Sequence, residues 1–285
     1  MQAHTPTAAV DPSERVAWLR SLPFIGMHVA CLGALWVGVS WSAIALCAAL
    51  YVIRMFGITG GYHRYFSHRS YRTSRWFQFV LAWIGCSAVQ KGPLWWAGHH
   101  RHHHKHSDEQ PDLHSPVLRG FWWSHVGWFL SSRYDDTDLD AIKDFTKYPE
   151  LRWLNHYHAV PGVVLAVACT AAMGWQGLVW GFFISTVLLY HGTFVINSLC
   201  HMIGTVRYET DDESRNSLWL ALITLGEGWH NNHHHYQSST RQGFFWWEID
   251  VSYYILRVLS WIGLVWDLRS PPQAVVSATL LQKSA

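Results

Sequence analysis

Histidine is where chemistry shows first. Twenty of the 285 residues are histidine, and most of them crowd into short runs. His100, His103 and His104 stand at i, i+3 and i+4 within WWAGHHRHHHKH, and His230, His233 and His234 repeat that spacing within GEGWHNNHHHYQ. A third run, HRYFSH, carries His63 and His68. On a helix, residues three and four apart share a face, so each triplet can aim its imidazoles at one point. Neutral imidazole binds Zn, Cu, Fe and Ni, so ligand type alone does not select the element. These eight histidines exceed what one tetrahedral ion takes, which fits two metals. His99, His102, His106 and His235 fall off the shared faces. They serve as outer donors or do little. His28 and His191 sit alone in apolar runs and read as packed or hydrogen-bonded side chains.

The elements that must hold these clusters are apolar helices. Half the residues are hydrophobic, 19 are tryptophan and only 14% are charged, against about 25% in ordinary soluble domains. Between Phe24 and Met55 the only charge is Arg54. As one helix that stretch would run about 48 Å, too long for a single crossing of a hydrocarbon core about 30 Å thick. Two spans are expected instead, at 24–38 and 42–58, joined by an uncharged turn. A second pair is expected at 159–174 and 178–199, again with an uncharged connector. Lys and Arg then fall on one side, which places both termini, the 59–158 loop and the histidine clusters in the cytoplasm. The fold class is all-α and integral to the membrane. Four transmembrane helices form two hairpins, and a cytoplasmic helical cap holds a two-metal site. Residues 76–89 and 244–266 are expected to lie as helices along the cytoplasmic face. Residues 1–20 form a polar leader that does not read as a cleavable signal, 21–268 the main domain and 269–285 a tail.

Composition excludes some classes. A net charge of +2 gives no argument for nucleic acid as a partner. The five cysteines lack C-x-x-C spacing and read as buried thiols. A loose, exposed metal-binding tract is disfavoured, because the clusters adjoin predicted membrane exits and bulky apolar residues.

The order H-x4-H, H-x2-HH, H-x2-HH resembles the membrane fatty-acyl desaturases, the group of stearoyl-CoA and Δ9-type acyl-lipid desaturases. GITGGYHRYFSH, NSLCH and GEGWHNNHHH strengthen the likeness, which covers about residues 20 to 268. The resemblance implies two irons held by His63, His68, His100, His103, His104, His201, His230, His233 and His234. His201, within NSLCH, comes from the resemblance alone. So does Asn197, which would reach a metal through water. Glu227, Asp108 and Asp112 are candidates to orient the imidazoles. O2 would be the co-substrate, and the reaction would remove hydrogen from two adjacent methylenes to leave a double bond and two waters.

The substrate would be an acyl chain on CoA or on lipid, held in an apolar tunnel. Trp95, Trp96, Trp123 and Trp229 are wall candidates. No haem- or flavin-binding module is recognisable in the chain, so electrons are expected from a separate ferredoxin or cytochrome b5-like carrier. Where animal CoA enzymes of this family carry Arg-Asp before the second box, this chain has Gly98-His99, which leaves the carrier open. Two rival readings remain: a di-iron membrane hydroxylase using the same ligands, and a non-catalytic membrane metal-binding protein.

Overall fold

The computed structural model describes residues 12–278; the first part of the polar leader and the end of the tail lie outside that range. Helices dominate. The one sheet among the described residues is a two-residue pair, β1 (Arg72–Thr73) against β2 (Val265–Trp266). Three helical runs are long and apolar enough to cross a membrane: Trp18–Val37, Trp41–Ser67 and Val160–His201. The first comprises α1 (Trp18–Ala30), a tight turn and a short helix Ala34–Val37. It starts well before residue 24. The second is α2 (Trp41–Phe56), capped by the Ser40 hydroxyl and continued to Ser67 as a π-helix, Gly57–Ser67, past the expected end at 58.

The third run is 42 residues long but is not one rod. Within α3 (Val160–Gln176), Met173 and Gly174 leave helical space, with Gly174 at φ +57°. Glycine adopts that conformation at little cost. The chain then doubles back so closely that a Cβ on Gly177 would sit 2.0 Å from the carbonyl oxygen of Cys169. The returning limb is the π-helix Gly177–Ile184 followed by α4 (Ser185–Asn197). The two turns are tied together: Ser40 donates to Gln176 Oε1, Gln176 Nε2 to Val37 O, and Trp180 Nε1 to Gly38 O. Leu19, Leu35, Trp36, Trp41, Val167 and Trp175 point outward.

One charge lies deep among these helices. Arg54 is buried, and its guanidinium donates to the Leu50 and Ser87 carbonyls and to the Ser185 and Thr186 hydroxyls. It joins α2 to the start of α4 and to the end of α5 (Arg75–Ser87).

Helix α5 is capped by Ser74, leaves Trp76 exposed and buries Leu81, Ala82 and Cys86. It presses against the π-helix, where Gly57 faces the backbone of Ile84 and Gly85, and Gly85 faces the Tyr62 ring; a Cβ at either glycine would lie under 3 Å from its neighbour. The stretch 244–266 departs from expectation. Only α8 (Val251–Trp261) is helical, after α6 (Pro93–His106) and α7 (His230–His235) have supplied the histidines. Asp250 caps α8 at Tyr253 N, and both Asp250 and Glu248 are fully buried. They turn inward because arginines wait there, Arg64 for Asp250 and Arg207 for Glu248. A buried carboxylate needs such a partner.

Candidate metal centre

Four segments bring the histidines together. The π-helix positions His63 and His68. The His68 amide donates to the His63 carbonyl, a five-residue step, at 3.2 Å. In an α-helix residues five apart diverge; the wider π turn returns them to nearly one side. Arg101 on α6 then donates to Phe66 O and Ser67 O and pairs with Asp144, pinning α6 across the end of the π segment. Six-residue α7 is too short to be rigid alone. Its two asparagines hold it: Asn231 Oδ1 accepts from the amides of Arg207 and Tyr208, and Asn232 Nδ2 donates to Gln242 O and Glu248.

Two groups result. His63, His68, His100, His104 and His233 form one, with their ligand atoms within 4.8 Å of one another. His103, His201, His230 and His234 form the other, within the same limit. Each sequence triplet is therefore split between the groups, where one shared target was expected. On a helix, residue i+4 lies about 40° past residue i and residue i+3 about 60° short of it. His100 pairs with His104, and His230 with His234, while His103 and His233 cross to the opposite groups. The groups adjoin, with the His104 and His234 ring centroids 4.4 Å apart.

The chemistry of these atoms fits cations. In the second group Asp112 accepts from His103 Nδ1 at 3.0 Å and Asp108 from His201 Nδ1 at 2.9 Å, and Asp212 pairs with His234 Nδ1. A proton on Nδ1 leaves the lone pair on Nε2. His201 Nε2 then faces His230 Nε2 at 3.1 Å, and His234 Nε2 is buried with no hydrogen-bond partner among the described residues. In the first group His100 Nε2 faces both His68 Nε2 (3.0 Å) and His104 Nε2 (2.9 Å), and His233 Nε2 faces His63 (3.0 Å) and His104 (3.0 Å). Imidazole nitrogens turned on one another in this way are the arrangement a bound cation satisfies.

Electrostatics agree. Burial and the neighbouring imidazoles push His68, His100, His104, His230 and His233 well below the ordinary histidine range, keeping them neutral. Burial lowers His234 to about 4. Burial opposes ionisation of Asp108, yet His201 outweighs it and holds the carboxyl at about 2. His103 opposes burial of Asp112 in the same way, and His234 that of Asp212, so both stay ionised. Glu227 lies 2.6 Å from His63 Nδ1 and is itself gripped by buried Arg64.

Glu227, Asp108 and Asp112, the three candidates for orienting imidazoles, pair with His63, His201 and His103. Asp212 was not foreseen. It reaches in from a loop, so no helical spacing marks it. His114 was also missed. With His103 and Asp112 it makes a third close trio. His99 bonds its own helix at Trp95 O, and His235 stacks on Tyr208 with centroids 4.2 Å apart. His28 and His191 are hydrogen-bonded to one another at 3.1 Å, and His191 continues to His125 at 3.0 Å.

A cavity of about 650 Å³ reaches the first group at His100. That volume is within the roughly 300–1,000 Å³ of small-molecule pockets. Asn197 lines it, together with Phe24, Met27, Tyr190 and Phe194. Trp95 and Trp96 are wall residues as expected. Trp123 and Trp229 are not among the lining residues: their indoles turn to Leu113 O and Ile249 O, anchoring loops. A smaller recess of about 360 Å³, bordered by Arg101, Lys105, Gln237 and Ser238, opens on His68 and His104.

Apolar membrane-length helices, paired histidine groups able to hold metal and an adjoining apolar cavity are the parts that a membrane metalloenzyme would need. The sequence profile of fatty acid desaturases matches residues 39–264. The chain is 37% identical to an sn-1 stearoyl-lipid 9-desaturase of Anabaena variabilis, over 92% of this chain and 97% of that one. It is 39% identical to an sn-1 stearoyl-lipid 9-desaturase of Synechocystis sp., over 93% and 84%. An acyl-CoA 5-desaturase of Anemone leveillei is 34% identical, over 92% and 85%. The chain belongs to the fatty acid desaturase family and is an oxidoreductase of that kind.

Proposed function

We infer that the chain inserts a cis Δ9 double bond into a saturated acyl chain carried by a membrane lipid. One observation carries the reading: the apolar cavity touches the histidine groups at His100 and runs on past Asn197. The acyl chain lies in that cavity, with the methylenes to be oxidised beside His100. The nine histidines would hold two iron ions, with Asn197, on the cavity wall, as a further polar group toward them. Iron with O2 would supply the oxidant that removes hydrogen from an unactivated methylene. The protein orients the imidazoles through Glu227, Asp108, Asp112 and Asp212, and it excludes water with Trp95, Trp96 and Phe194. Two electrons and two protons enter from outside. A separate ferredoxin or small cytochrome delivers the electrons at the recess over His68 and His104.

The break at Met173–Gly174 supports four spans in two hairpins. Both hairpin turns then lie outside and the histidine groups in the cytoplasm, with residues 21–268 as one unit. Gly98-His99 in place of Arg-Asp and the stearoyl-lipid relatives favour lipid over CoA as carrier.

The test is expression in a host unable to make unsaturated fatty acids, followed by lipid mass spectrometry. Loss of two hydrogens at carbons 9 and 10 is expected; gain of oxygen would make the protein a hydroxylase and overturn the reading. Cysteine labelling should reach positions 40 and 176 only from outside and 136 only from the cytoplasm.

A further inference from the structure

The cavity has one charged rim. Arg20, Lys91, Asp135 and His158 line it there, whereas Phe24, Met27, Trp128, Phe129 and Phe194 line it deeper. Asp135 is shared by two cations: Lys91 Nζ lies 3.1 Å from its Oδ1, and Arg20 Nη1 pairs with its Oδ2. Two positive groups and one negative leave the rim a net charge of +1, His158 being neutral. The Nδ1 of His158 is buried and has no hydrogen-bond partner among the described residues.

Lys91 is placed there by an unusual turn. Val89 and Lys91 both take left-handed backbone conformations, at φ +58° and +68°. Tyr190 donates to Val89 O and Tyr62 to Lys91 O, each at 3.1 Å, fixing the turn from both sides. Conformations like these in side-chain-bearing residues persist where surrounding structure enforces them, and they cluster at ligand sites. Beside Arg20, the side chains of Trp18, Leu19 and Leu22 are exposed on α1. Such a face suits a bilayer, and the basic rim then sits at headgroup depth.

We propose that Lys91 and Arg20 bind the phosphodiester of a glycerophospholipid whose acyl chain fills the cavity, and that Asp135 is the internal anion this phosphate displaces. The proposal rests on the reading that the cavity takes an acyl chain. A phosphodiester carries one negative charge and matches the rim's surplus. His158 Nδ1 offers a further polar contact to the ester. The same chemistry could be met by the phosphates of CoA, so the carrier must be tested directly.

The opposite roles of Lys91 and Asp135 give the test. Purified full-length protein is assayed on three stearoyl donors: phosphatidylglycerol, a neutral galactolipid and CoA. Lys91→Gln should raise KM for the phospholipid about tenfold, since it removes a charge-assisted contact. Asp135→Asn should lower that KM severalfold, because it removes the competitor. Lys91→Arg, which keeps a cationic donor at the rim, should stay within about twofold of wild type. If Lys91→Gln and Asp135→Asn both raise KM, the ion pair is structural and the proposal fails. It fails equally if the galactolipid responds as the phospholipid does, or if only the CoA substrate responds. Native mass spectrometry supplies a readout without turnover: wild type should retain dioleoylphosphatidylglycerol over dioleoylglycerol, and Lys91→Gln should lose the preference. Retention without desaturation of any donor would sink the desaturase reading and leave the phosphate site standing. Equal retention of both lipids would sink the site. Should Lys91→Gln fail to fold, the fall in KM with Asp135→Asn decides alone.

Discussion

The two histidine groups differ in what surrounds them. The first, built on His63, His68, His100, His104 and His233, has two half-buried members and opens into the recess beside Arg101 and Lys105. Among the described residues a single carboxylate, Glu227, backs it. All four members of the second are fully buried, and Asp108, Asp112 and Asp212 each hold one of its imidazoles. Carboxylates behind the ring raise ligand basicity and fix the tautomer. A metal in the second group would therefore be held firmly in one geometry. The first is built to be reached from solvent.

The sharpest way to break this contrast is to remove one ligand from each group. His103→Ala and His233→Ala should each lower desaturation at least a thousandfold and reduce bound metal from about two ions to about one, since both metals are needed for one oxidation. Full activity in either variant would end the ligand assignment. Next in size is the backing of the rings. Asp212→Asn and Asp108→Asn should cost about 10- to 100-fold in metal affinity or activity, measured by metal content during dialysis. Glu227→Ala should act as much through the fold, because it strips a partner from buried Arg64. Breaking a buried ion pair costs about 3–5 kcal/mol, a loss that thermal unfolding of the metal-free protein would register. A smaller and more specific effect concerns exchange. A chelator should empty the first group before the second, leaving a species with about one metal; loss of both at one rate would show the groups equivalent. The smallest effect is expected at His99→Ala and His235→Ala. Both rings lie outside the groups, His99 on the cavity wall and His235 stacked on Tyr208, so activity should stay within about threefold.

Much of this was legible before any coordinates. The i, i+3, i+4 spacing marks histidines that the fold does bring into the two groups, and the charge-free turns mark the ends of the long helices. Three things were not. The sorting of His103 from His104, and of His233 from His234, depends on two helices approaching from different sides. Spacing along one helix cannot contain that. Asp212 acts from a loop, where no periodicity exists to be read. The 244–266 stretch reads as helix in sequence, but Asp250 caps a helix and Glu248 meets Arg207, so its first third is pinned as an irregular segment that buries those two carboxylates and leaves Trp246 and Trp247 exposed. Local pattern lost there to a tertiary ion pair.

The π-helix at Gly57–Ser67 has a further consequence, and it concerns length. Exchanging one side chain for another tests chemistry; removing a whole residue tests register. His63 and His68 stand at i and i+5, and they meet only because each turn is one residue wider than usual. A frame-preserving deletion of Tyr65 or Phe66 would bring the two to an i, i+4 spacing, which an ordinary α-helix already presents on one side. That shorter chain could keep both imidazoles in place but would drag the Ser67 carbonyl away from Arg101. The extra residue thus reads as a spacer: it lets a membrane-spanning helix end on two adjacent imidazoles and still deliver its last carbonyls to the helix that carries the next three.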